Sequence, residues 1–236
     1  MTTRRLLALL HALLVCVGLV PLNAVADDSA WVLDKDINGI AIYTRLPPGG
    51  RFKDFKGTMV VDAPIKQIVA TLADASAMPK WFFWLKEARF IQGPSADETY
   101  IYMAVNGIWP TSPRDVVAQV NVRQDPDTKI IHVDVVSRDG ILPPQAGYVR
   151  MPNMTSSWTL RPLSATRTAI EVEGHGEPGG WIPTSLANMV VATVPRQSME
   201  KMRQYVTQAR YGVDETAFVQ SSLLRDWGKK LVFPES

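Results

Sequence analysis

The chain has 236 residues, 46% of them hydrophobic and 20% charged, enough for the core of one ordinary globular domain. It carries 25 basic and 23 acidic residues. Two of the basic ones, Arg4 and Arg5, belong to an N-terminal leader with no acidic residue. The rest is therefore electrically balanced, which argues against an electrostatic grip on nucleic acid.

The leader is read as residues 1–26. Arg4-Arg5 precede an apolar run from Leu6 to Val20, and Ala24-Val25-Ala26 is a small-x-small cleavage signal. The run is short for a membrane span, so the pattern predicts a secretory signal peptide and an exported protein, periplasmic or secreted. The residues after the arginine pair fit a twin-arginine signal weakly, which favours ordinary secretion. Cys16, the one cysteine, lies in the leader without the small residue expected before a lipidated cysteine. The mature chain is thus expected to hold neither a disulfide nor a thiol nucleophile. No later apolar stretch is long enough to cross a membrane.

Residues 27–211 read as one domain. Trp31 to Asp36 suits a short helix. Ile40 to Leu46 reads as a strand stopped by Pro47-Pro48-Gly49-Gly50, with Phe52 to Val61 as its hairpin partner. Asp62 is placed to cap a helix whose first turn tolerates Pro64 and whose Ile65, Ile68, Val69 and Leu72 share one face. Met78-Pro79-Lys80-Trp81-Phe82-Phe83-Trp84 is an aromatic cluster, and such clusters are mostly core. Five alternating segments follow: Glu98–Asn106, Arg114–Arg123, Lys129–Arg138, Met154–Arg161 and Arg167–Glu173. Each has one apolar and one wet face, the mark of an antiparallel sheet. Asp125-Pro126-Asp127 supports a hairpin between two of them.

The turn Gly176-Glu177-Pro178-Gly179-Gly180-Trp181-Ile182-Pro183 then leads into a helix reaching about Tyr211. Pro183 suits its first turn. Leu186, Met189, Val190, Thr193 and Val194 fall on one face, and the pattern resumes at Met199, Met202, Tyr205, Val206 and Ala209. Lys201, Arg203 and Arg210 point elsewhere, toward solvent. Pro195 is expected to kink the helix or nearly break it. Periodicity alone describes a core helix docked on a sheet; a lid over a cavity has the same periodicity. Residues 212–236 form an extension in which Asp214 would cap a short helix carrying Phe218, Leu223 and Trp227.

Chemistry-bearing motifs are scarce. His132 sits on the polar face of its strand near Asp134 and reads as solvated. His175 lies in a glycine-flanked turn. Neither has a ligand partner at metal-binding spacing, and no phosphate-cradling loop or nucleophile elbow is present. Ser156-Ser157 lacks a recognisable base. Glu171 and Glu173 are most simply the wet face of their strand. Neither a cofactor nor a metal is expected.

Several fragments carry a resemblance. Trp109-Pro110-Thr111-Ser112-Pro113-Arg114-Asp115-Val116-Val117 resembles the Trp-Pro-x-Ser-x-Arg-Asp segment of START (StAR-related lipid-transfer) domains. Phe55-Lys56-Gly57, Met78-Pro79-x-Trp81, Gly147-Tyr148-Val149-Arg150, Ser157-Trp158-x-Leu160 and Gly180-Trp181-Ile182-Pro183 with Asn188 occur in that family's order. The physical role of Pro110, Pro113, Arg114 and Asp115 is structural: the prolines set the start of a strand, and the adjacent charges pair to fix it.

The resemblance implies an α+β helix-grip fold, a curved antiparallel β-sheet wrapped around a long C-terminal α-helix with an internal apolar cavity. Under it Ile101, Met103 and Val105, then Val116, Ala118 and Val120, become cavity wall. So do Ile131, Val133 and Val135, then Trp158, Leu160 and Ile170. Leu186, Met189, Val190 and Met202 become roof. A filled core would give the same alternation. Sterol-binding members can place an acid and a base inside; the matching positions are Val105 and Val120, which favours a very apolar ligand or one whose head stays near the mouth.

The resulting expectation is a non-catalytic protein that binds and transfers a lipid or other hydrophobic small molecule, a monomer with transient membrane contact and no nucleic-acid partner. A rival is a helix-grip enzyme of the aromatase/cyclase type, which needs an ionisable group facing the cavity. A filled-core interaction domain is a third reading. The loop Asp139–Gly147 carries Ile141-Leu142 at its tip. With Trp181, that tip is expected to gate the cavity, touching the start of the long helix and the bilayer.

Overall fold

The computed structural model describes residues 30–95, 98–107, 109–207 and 231–233. The leader, Ala209, Arg210 and the expected C-terminal helix with Asp214, Phe218, Leu223 and Trp227 lie outside the described residues. Among the described residues ten strands form one sheet. They are β1 (Val32–Ile37), β2 (Ile40–Arg45), β3 (Asp54–Val61), β4 (Leu85–Gln92), β5 (Thr99–Val105), β6 (Arg114–Gln124), β7 (Ile131–Ser137), β8 (Val149–Arg150), β9 (Asn153–Ser164) and β10 (Arg167–Glu177). The order is β1-β2-β3-β10-β9-β7-β6-β5-β4. Neighbours are antiparallel, except that the short β8 lies parallel beside the start of β6. α1 (Ile65–Ala73), a 3₁₀ turn (Ala75–Ala77) and α2 (Met78–Trp81) connect β3 to β4; α3 (Thr184–Val190) and α4 (Thr193–Thr207) follow β10.

Three local expectations are corrected, and one strand, β4, was not foreseen. The segment from Trp31 is not a helix: β1 is an edge strand, joined to β2 by Asn38 (φ 55) and Gly39 (φ 71). Two central residues with positive φ make the mirror-image turn whose twist matches a hairpin, and Asn-Gly is its strongest sequence signal. β4 escaped the alternation because a bulge between Leu85 and Glu87 shifts its register, leaving Lys86 and Glu87 both exposed. Asp62 does not cap α1; the cap position is Pro64, with no side-chain bond, and Asp62 instead meets Arg167 at 3.0 Å. His175 lies within β10 rather than in a turn.

Pro195 acts one turn upstream of itself. α3 ends at Val190, and α4 begins at Thr193. The gap includes Val191, whose carbonyl a proline at 195 can neither hydrogen-bond nor approach without a ring clash. Pro195 thus sits in the first turn of α4, where it is tolerated.

Sheet register places the inner-face residues in rows. One row runs Ile131, Leu160, Ile170, Met59, Ile40. All five are buried, and they pack with Met199, Met202 and Val206 of α4 in the main core. Leu231 joins the same core. The next rows toward the opposite end are Val133, Trp158, Val172, Gly57 and then Val135, Ser156, Gly174, Phe55. There the sheet and the helices draw apart.

Candidate functional site

Between those rows and the helices lies a cavity of about 360 Å³, within the range of small-molecule sites. Its wall is almost wholly apolar. From the sheet come Ile101, Met103, Val105, Val116, Val120, Val133, Val135 and Trp158; from the helices and the break between them, Val190, Val191, Val194, Pro195 and Met199. Phe82, Phe83, Trp84 and Leu85 close one side with Trp81. Most of the 78–84 aromatic cluster is therefore cavity wall rather than filled core. The lining residues that reach solvent include Asn106, Thr111, Pro178 and Ile182 on loops at one end, which marks the mouth.

The remaining residues expected on the wall sit elsewhere. Ile131, Leu160, Ile170 and Met202 are buried in packed core beyond the cavity, whereas Ala118 sits among the lining residues Val116, Val120 and Ile101 but does not itself reach the wall. Their side chains face inward as the alternation requires, but α4 fills the space in front of that end. Leu186 is half-buried off the cavity, and Met189 points out, 64% exposed. The roof here is Ala187 and Val190 of α3, with Val191 just after it, instead. The helix break after Val190 rotates α3 relative to α4, so one continuous helical period misplaces its inner face. Asn188 fixes the result: its Oδ1 accepts from Lys53 N at 2.9 Å, and its Nδ2 donates to Arg51 O at 3.2 Å.

The gate loop is also elsewhere. Ile141 and Leu142 pack with Tyr100, Tyr102, Ala104, Val117 and Tyr148. In β5 these tyrosines alternate with Ile101 and Met103, so the tip covers the convex face of the sheet, away from α3 and the cavity. Arg150 holds it there, donating to Leu142 O (3.1 Å) and Pro143 O (3.2 Å) while its Nε and Nη2 grip Asp115 at 2.8 and 3.0 Å. Trp181, by contrast, is 77% exposed beside Ile182 at the mouth, and Trp109 on the β5–β6 loop is 90% exposed. Trp109 carried no signal as a gate residue because its Trp-Pro segment read as the start of a strand.

Ionisable groups do reach the wall. Arg114 is buried, and its burial lowers the guanidinium pKa. Its Nη1 donates to Ser112 O and its Nε to Pro178 O at 3.4 Å, which ties the β5–β6 loop to the turn after β10. His175 Nδ1 lies 2.7 Å from Asp54 Oδ1, and Arg45 Nε meets the other oxygen of Asp54 at 2.9 Å. Ser156 lines the cavity without a hydrogen bond to His175. His132 Nδ1 is 3.2 Å from Thr159 Oγ1, on the outer face. Among the described residues no group of three or more His, Cys, Asp or Glu is arranged to hold a metal ion, and no helix is long and apolar enough to cross a membrane.

This geometry has close counterparts. The START domain family model matches residues 19–210. The crystal structure of a STAR-related lipid transfer protein fragment from Xanthomonas axonopodis is 30% identical and superposes with a TM-score of 0.69, covering 75% of this chain and 99% of that one. An uncharacterised protein of Pseudomonas aeruginosa is 29% identical over 181 residues, 77% of this chain and 88% of its own. The mitochondrial steroidogenic acute regulatory protein of Gallus gallus is 26% identical over 80% of this chain and 68% of its own. With its curved antiparallel sheet closed by a C-terminal helix over an apolar cavity, the chain belongs to the START domain family.

Proposed function

We propose that this protein binds one lipid or other hydrophobic small molecule in its cavity and transfers it between membranes without chemical change. The observation that carries the reading is the apolar hollow of about 360 Å³ between sheet and helices, a volume that a filled core does not leave. The name of the Xanthomonas relative, a lipid transfer protein, agrees with it. Val105 and Val120, where an acid and a base would sit in a sterol pocket, both line the cavity as valines. Arg114, the buried cation on the wall, is already engaged with backbone carbonyls, which supports binding over catalysis. Native mass spectrometry of the protein from its own host should show one hydrophobic molecule per chain, with the chain itself a monomer. A ligand-free mass together with no uptake of fluorescent lipid overturns the reading.

The proposal places the protein outside the cytoplasm, after cleavage behind Ala26; the intact mass of the exported form checks this. It also assigns membrane contact to the mouth. Trp109 and Trp181 are large amphipathic rings held out to solvent on loops that Arg114 links, and such rings favour the headgroup region of a bilayer. With a balanced net charge, contact is weak and nearly insensitive to salt. Trp109→Asp with Trp181→Asp is expected to slow lipid transfer between vesicles at least tenfold while detergent-delivered lipid still binds. Transfer at the wild-type rate removes the mouth from the mechanism.

A further inference from the structure

Arg114 opens β6 on the inner face of the sheet and lines the cavity near its mouth. It is 6% exposed. A guanidinium has five N–H donors. One on Nε and one on Nη1 are used, and both go to backbone carbonyls, Pro178 O and Ser112 O. A carbonyl is a dipole and leaves the positive charge uncancelled. Nη2 makes no hydrogen bond among the described residues. Yet it is not one of the side-chain atoms that are both partnerless and sealed off, which are Trp81 Nε1, Thr111 Oγ1 and Arg196 Nε. Nη2 therefore keeps open surface.

Burying a charge is costly unless an opposite charge meets it. Arg150 has that remedy: Asp115 takes two of its donors and raises its pKa. Arg114 has only the cost. It forms no ion pair among the described residues, and burial alone lowers its pKa. The rest of the wall offers it no carboxylate, for no Asp or Glu stands among the described lining residues. Lys53 adds a second cation to the lining, also without an ion pair. His175 is already taken by Asp54 at 2.7 Å. An apolar hollow that holds cations and no carboxylate favours an anion.

We propose that Arg114 is the counter-charge for an anionic head, a carboxylate or phosphate, on the apolar molecule that the cavity binds. The inference rests on the lipid-binding reading above and narrows it. The head stays at the mouth end, within reach of Nη2, and the chain runs inward along the apolar wall. The two carbonyls hold the guanidinium in place, so its remaining donors are set for an oxyanion before the ligand arrives. A neutral chain leaves the charge uncancelled.

The test uses the mature protein and decyl chains that differ only in their heads: decanoate, decyl phosphate, decanol and decylammonium. Each competes with diphenylhexatriene, an uncharged fluorescent hydrocarbon. Decanoate or decyl phosphate should bind roughly tenfold or more tightly than decanol, the worth of a charge-assisted hydrogen bond. Decylammonium should be the weakest, and the tighter of the two acids identifies the head. Arg114→Gln should lose the preference for the acid. Arg114→Lys, which keeps the charge without the fork, should keep part of it. Carboxyl ¹³C or ³¹P spectra of the bound acid need no variant, should these two not fold. The bound head should titrate below the free acid, because a neighbouring cation favours the ionised form whereas burial without one disfavours it. Decanol binding as tightly as both acids, an acid preference that survives Arg114→Gln, or a bound head that titrates at or above the free acid overturns the assignment. Binding of none of the four chains, nor of the dye, overturns the lipid-binding reading on which it stands.

Discussion

Arg114 and Asp115 are adjacent in the chain and go opposite ways. Successive strand residues face opposite sides of a sheet, so the two cannot form the charge pair expected of them. Arg114 points to the cavity and binds carbonyls, whereas Asp115 points to the convex face and takes both donors of Arg150. The Asp115 carboxylate also acts on its neighbour Tyr102. Burial, reinforced by that charge, pushes the Tyr102 phenol up to about 12. The folded state thus holds the phenolic proton after the unfolded chain has lost it. The contribution to stability is full below pH ~10 and falls as pH rises toward ~12, by an amount on the order of 2–3 kcal/mol. Denaturation in urea across this range should show the loss, and Tyr102→Phe should flatten it.

At the scale of elements, the strands were legible because period-2 alternation survives wherever one face is buried. β4 was not, since its bulge breaks the alternation, and β1 was misread because all its residues are exposed and no apolar face marks it. The seat of α4 on the sheet depends on Gly57. A Cβ built there would lie 2.5 Å from Met199 Sδ, 3.2 Å from Ile42 Cδ1 and 3.3 Å from Val172 Cγ1. Gly57→Ala is therefore expected to lower stability by about 1–3 kcal/mol, read as a fall in melting temperature. Adding Met199→Ala should cost less in this background than in the wild type, because the two changes share one contact.

Across the whole molecule, the concave face is half filled and half hollow. Val120 and Ile131 both sit on inner faces of their strands, but the first borders the cavity and the second lies under α4. Arginine at the two positions should separate these halves. Val120→Arg can hydrate its charge in the cavity and should cost about 1–2 kcal/mol while blocking lipid uptake. Ile131→Arg has no such space and should cost more than about 4 kcal/mol, enough to prevent folding. Urea denaturation with a lipid-uptake assay checks both; equal destabilisation would mean that the hollow is not there in solution.

The sequence by itself determined the antiparallel sheet, the inward face of its central strands, the START resemblance and the interruption near Pro195. All are set by neighbours a few residues apart or by motifs in a fixed order. Only the tertiary structure decided which inward residues border a cavity, and that Trp109 rather than Ile141 and Leu142 joins Trp181 at its mouth. Alternation reports that a side chain faces inward and not how far away the opposing element lies. That distance is set by the tilt and break of α3 and α4, through contacts such as Asn188 with Lys53 and Ser198 with Phe83, which span more than a hundred residues.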